Sequence, residues 1–201
     1  MKNIIRRVTF MLALTASALL VGCATKQAST TLYDLGPLRA AQSSPALPAV
    51  SIAEAHAPAW LDSQMMFYRL AYANDQQPRP YATSRWNTPP VQLFVQRLKS
   101  RIGQAGGIVL AASDGAANMP VLRIDADDFT QVFDRPGQSH AQVRMRVSVL
   151  NGRTLLAQKT FTAQAPAATA DAPGGARALA DASETIITDM MAWLAGLPLK
   201  K

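Results

Sequence analysis

The 201-residue chain contains one cysteine, two histidines and few charged residues, 16% of all positions. A lone thiol excludes an intrachain disulfide and any cysteine-built zinc cluster. Charge this sparse beside 49% apolar residues excludes a disordered chain, which combines low hydrophobicity with high net charge. Like charges never gather into a long run, so the formal net charge of +7 gives no nucleic-acid-binding stripe. Catalytic signatures are missing as well. There is no Gly-x-Ser-x-Gly elbow, phosphate-cradling glycine loop or His-Glu-x-x-His helix. The length allows one domain, at about 150 residues each.

What is present starts at the amino end. Lys2, Arg6 and Arg7 precede fourteen uncharged, mostly apolar residues, 8–21. As a helix that run reaches only about 21 Å at ~1.5 Å per residue, short of a hydrocarbon core of about 30 Å. It reads as an export signal and not a retained span. Leu20-Val21-Gly22-Cys23 resembles the bacterial lipobox. The resemblance implies a diacylglycerol on the Cys23 thiol, cleavage before it, and an acyl chain such as palmitate on the new amino terminus. Three chains make an essentially permanent anchor. The alternative is a plain signal cut elsewhere, leaving Cys23 a free thiol, which is unusual in an oxidising compartment. Ala24 in place of Asp resembles lipoproteins sorted to the outer membrane, facing the periplasm. The expected division is a removed signal over 1–22, a lipidated tether over 23–31 and a single periplasmic domain over 32–201. Without the signal, 17 basic side chains face 13 acidic ones.

Periodicity sets the elements. Tyr33 and Leu35, Val50 and Ile52, and Met66, Tyr68 and Leu70 predict three short strands. Residues 74–80, polar with two prolines, read as loop. Thr88-Pro89 reads as a helix start. Val91, Phe94, Val95, Leu98 and Ile102 then form one apolar face, with Gln92, Gln96, Arg97, Lys99 and Arg101 on the polar side. Gly103 or Gly106-Gly107 can end this helix. Residues 108–110 and 122–126 predict strands. Residues 141–149 alternate for nine positions, and Asn151-Gly152 turns them into a return strand over 155–161. A last helix is expected over 173–194, with Leu179, Ile186, Ile187, Met190, Met191 and Leu194 inward and Asp171 near its positive end. The predicted fold is α+β: six or seven mostly antiparallel strands with two long helices on one face.

Candidate chemistry is thin. Asp125, Asp127 and Asp128 are the one acidic cluster, where a cation site competes with a solvated strand face bent at Asp128. His140 reads as a surface residue at a hairpin mouth. No catalytic or metal-ligating set is expected. Residues 60–86 are richer, with six of the thirteen aromatics, Trp60, Phe67, Tyr68, Tyr72, Tyr81 and Trp86. Arg69, Arg79 and Arg85 interleave with them, a composition typical of interaction hot spots. Core packing of Phe67, Tyr68 and Trp86 is the competing explanation. Tyr68, Arg69, Tyr81, Arg85 and Trp86 are therefore candidates for partner contact or its support.

Tyr33-Asp34-Leu35, Trp60-Leu61-Asp62, Met66-Phe67-Tyr68-Arg69, Tyr81, Arg85-Trp86, residues 157–161 and Trp193-Leu194 follow one another behind the lipobox. In that order the chain resembles the ABC-type transport auxiliary lipoproteins, the PqiC-like family. Met65-Met66 departs from the hydrophobic strand often found before Tyr-Arg. The resemblance implies an outer-membrane lipoprotein that serves an ABC transporter and an MCE-domain (mammalian cell entry) protein in lipid transport. It implies docking without catalysis, no cofactor beyond the covalent lipid on Cys23, and no nucleic-acid partner. Ring-like MCE assemblies leave a homo-oligomer open. The alternative function is a lipid carrier, with a cavity lined by the Phe94-Val95 and Met190-Met191 faces.

Overall fold

A computed structural model of the protein describes residues 29–40, 47–115 and 119–199. The expected signal and Cys23 lie outside the described residues. The elements, in order, are β1 (Thr31–Tyr33), β2 (Val50–Ile52), β3 (Met65–Leu70), β4 (Asn74–Trp86), α1 (Pro90–Gln104), β5 (Val109–Ala111), β6 (Val121–Arg135), β7 (Gln138–Asn151), β8 (Thr154–Pro166) and α2 (Ala172–Ala195). They form the expected α+β domain, with eight strands in one sheet.

The sheet is built around β6. One edge of β6 pairs antiparallel with β7, which pairs antiparallel with β8. Its other edge is shared: β2 pairs with its beginning, at Val121 and Leu122, and β3 with its end, at Gln131 to Phe133, both parallel. Beyond β2 lies β5, and beyond β3 lie β4 and then β1. Alternation along β7 buries Ala141, Val143, Met145, Val147 and Val149 beneath the helices. The intervening Gln142, Arg144, Arg146 and Ser148 face the other way, as strand geometry requires.

Both helices cover the same sheet face. On α1, Val91, Phe94, Leu98 and Ile102 are buried; on α2, Leu179, Ile186, Ile187, Met190, Met191 and Leu194 are buried, as the spacing predicts. The Asp171 side chain accepts from Gly174 N at 2.8 Å, capping α2. The N-terminus of α1 falls one residue later than Thr88-Pro89 indicated. Pro89 is extended (φ −51°, ψ 139°), and Pro90 occupies the first turn. Proline disfavours the helical conformation in the residue before it, so Pro90 pushes Pro89 out of the helix.

Two further readings change. Residues 74–80 are strand, the first half of β4. Pro78 and Pro80 fit because, among the described residues, β1 pairs only with Ser84 to Trp86, leaving the earlier part of β4 on an edge, and because the pairing with β3 is broken by two irregularities. Also, β6 continues to Arg135 and turns through Pro136-Gly137 into β7, with Gly137 at φ +80°. Proline then glycine at the turn centre suits a type II turn.

Arg97 was placed on the polar side of α1, yet it is only 8% exposed. Its guanidinium donates to Leu35 O at 2.6 Å, to Gly36 O, to Pro37 O at 3.0 Å and to Glu184 Oε1 at 3.1 Å. Arg101 Nη2 meets the other Glu184 oxygen at 2.6 Å. The chain after β1 is thereby fastened to both helices by charge-assisted bonds.

Candidate functional site

The β3–β4 hairpin carries the aromatic and arginine residues, and its two faces divide them. Tyr68 pairs in register with Gln131, which lies on the helix-covered side against Gly175 of α2. Tyr68 packs at 4.7 Å from Tyr81 and edge-on to Phe133 at 5.7 Å between ring centroids. Tyr81 Oη donates to Gln131 Oε1 at 2.8 Å, and Gln131 Nε2 donates to Ser139 Oγ at 2.8 Å. This chain of bonds joins β4, β6 and β7 beneath the start of α2. Burial, first, and the nearby Tyr68, Asp171 and Tyr33 hold the Tyr81 phenol well above its ordinary titration range.

Arg69 faces the opposite side. Its guanidinium carbon lies 5.4 Å from the Trp60 ring centroid, and Nη1 donates to Asp75 O at 2.9 Å. Trp60 in turn packs edge-on against Phe67 at 5.3 Å. At the hairpin tip Tyr72 is exposed. The helix-free side of this hairpin therefore presents an aromatic–cation stack, a geometry with favourable electrostatics at partly exposed sites.

Arg85 and Trp86 support the segment from within. Arg85 Nη1 donates to Tyr81 O and to Ser84 O at 2.8 Å, tying together the part of β4 where the pairing slips. Trp86 is 0% exposed and packs edge-on to Phe129 at 5.6 Å. The five sequence candidates thus do not converge. Tyr68 and Tyr81 lie under the helices, Arg69 faces out, Arg85 braces the backbone and Trp86 sits in the core.

The remaining candidates are occupied by structural bonds. Arg146 approaches Asp125 at 3.6 Å and Asp127 at 3.8 Å, and Asp128 accepts from Thr130 Oγ1 at 2.8 Å and Gln142 Nε2 at 2.9 Å. The pairing of β6 with β7 shifts between Ala126 and Asp128, the bend expected there. His140 Nδ1 lies 2.9 Å from Asp134 Oδ2 beside the Pro136-Gly137 turn. Among the described residues no group of three metal-ligating side chains forms. Of the Phe94-Val95 and Met190-Met191 faces expected to line a cavity, Phe94, Met190 and Met191 are buried and Val95 is half-buried. An open groove of about 610 Å³ lies elsewhere, between residues 32–39 and the first half of α2. Sequence reasoning missed the role of Gln131, because the strand expected over 122–126 stops short of it, and that of Arg97, because a cation beside an apolar helix face matches a solvated side chain.

No curated protein matches this chain in sequence. Among solved structures, a Xanthomonas campestris protein of the DUF330 family is similar over 82% of this chain and 94% of its own, at 20% identity and a TM-score of 0.71. An uncharacterised protein is similar over 82% of this chain and 98% of its own, at 13% identity and a TM-score of 0.65. Identities this low speak to the shared fold alone. The model of the ABC-type transport auxiliary lipoprotein component matches residues 31–191, from β1 through most of α2, and the chain belongs to that family.

Proposed function

We propose that the protein is a non-catalytic accessory lipoprotein of an ABC-type lipid transport system, working with an MCE-domain protein. Acylated Cys23 holds it to the outer membrane on the periplasmic side, and the folded domain docks or anchors the component that spans the periplasm. The family match over residues 31–191 carries this reading. The lone cysteine behind an apolar leader supports the anchor. Engagement of the acidic cluster and His140 in structural bonds supports docking over chemistry. A tether raises the local concentration of the domain at the partner's end, so a modest contact suffices.

The contact centres on Arg69, stacked on Trp60, and on Tyr72 at the tip, while Tyr68, Tyr81, Arg85 and Trp86 hold the hairpin in shape. The test is co-purification of the partner with full-length Arg69→Ala and Tyr72→Ala variants. Recovery should fall about tenfold, the equivalent of ~1.4 kcal/mol, with the melting temperature nearly unchanged. Unchanged recovery would remove this surface from the contact.

A further inference from the structure

The register of the sheet exposes a second surface. Val121 of β6 pairs with Leu150 of β7, and Leu150 with Leu155 of β8. Paired residues share a face, and here it is the helix-free one, because the alternating neighbours Leu122 and Val149 are in the core. Val121 and Leu150 are half-buried, while Leu155 is 55% exposed and Leu156, in the irregularity beside it, 45% exposed. The next row on this face is polar, Arg123 with Ser148 and Gln158, and the one after it holds Asp125, Arg146 and Thr160. An apolar row therefore closes one end of an otherwise polar face. Arg123 borders it on β6 and Arg153 at the β7–β8 turn, and neither has a carboxylate partner among the described residues.

We propose that this row, Val121–Leu150–Leu155 with Leu156, is a docking surface for a partner protein segment whose apolar side chains are flanked by Asp or Glu. Charge selects the occupant. A second copy turned onto the row would set Arg123 and Arg153 against the same arginines, and like charges across an interface are costly. A segment with flanking carboxylates meets both cations and covers the leucines. Position separates the row from the β3–β4–β1 side of the sheet: β3, which leads through β4 to β1, joins β6 at Gln131, ten residues beyond Val121, about 33 Å at ~3.3 Å per residue. The inference rests on the docking reading above and adds to it a surface on the far side of β6 from β1.

A photo-crosslinking amino acid at the position of Leu155 tests it in the full-length protein within its own envelope, with the position of exposed Gln104 as control. The expected adduct joins position 155 to a co-purifying protein through an apolar peptide with flanking Asp or Glu. Its yield should fall about tenfold in Arg123→Glu and Arg153→Glu. An adduct with a second copy or with lipid, a peptide without carboxylates, insensitivity to both reversals, or no adduct while the partner still co-purifies would each overturn the inference. Loss of all co-purification from the unsubstituted protein would instead overturn the docking reading, and this inference with it.

Discussion

At the scale of single residues, Trp86 and Tyr81 show how a polar-tipped aromatic is committed to the fold. Trp86 is fully enclosed, and its indole Nε1 has no hydrogen-bond partner among the described residues. Trp86→Ala should cost about 3–5 kcal/mol in chemical denaturation, the usual loss for a buried aromatic. Trp86→Phe should cost much less, because it keeps an aromatic ring and removes an unpaired donor. Tyr81 is a titration probe. Its neutral form is favoured in the fold, so its contribution is complete below the ordinary tyrosine value of about 10 and is lost as pH rises beyond it. Melts from neutral to strongly alkaline pH should show the protein losing stability faster than Tyr81→Phe above that value. A parallel decline would show that the phenol is not held neutral. Gly175 closes this site: a Cβ there would lie 1.9 Å from Gln131 Oε1, and Gln131 is fixed by Tyr81 and Ser139. Gly175→Ala should therefore destabilise by about 1–3 kcal/mol, in the range of overpacking.

At the scale of elements, the cap on α2 and the strap after β1 are separable devices. Asp171 accepts from Thr169 Oγ1 at 2.6 Å and from Gly174 N at 2.8 Å. The hydroxyl, first, and the backbone amide hold its carboxyl below the ordinary value. That contribution is present above about pH 3.9 and is lost as pH falls. Asp171→Ala should lower stability near neutral pH by about 1 kcal/mol, and the deficit should shrink in acid. An acid-independent deficit would mean that the cap is not the cause. Element by element, legibility followed how local the cause was. The helices and β7 were plain because repeats of 3.6 and 2 residues record burial directly in the sequence. β4 was hidden because its prolines and polar residues match a loop, and only its edge position makes them tolerable in a strand. The Pro136-Gly137 turn is a local signal too, since proline then glycine suits its geometry. The split of Tyr68 and Arg69 between faces follows from simple alternation. Placing Tyr81 under the helices and Trp86 in the core depends on the slip between β3 and β4, which no local pattern records.

At the scale of the whole molecule, one sheet keeps three features apart. The helix-covered face holds the core, the β3–β4 hairpin carries the stacked Arg69, and the far end of β6–β8 carries the apolar row. The strap after β1 is bonded to both helices through Arg97 and Glu184, so the chain that follows this three-residue strand is held by the body of the domain. Arrangement and family agree with a protein that positions others. The most direct test is recovery of the full-length, tagged protein from its own envelope in mild detergent, with mass spectrometry of what accompanies it. The account predicts an MCE-domain protein and its ABC transporter among the partners, lost when Cys23 is replaced. Recovery of the lipidated protein alone, or with bound lipid only, would contradict it.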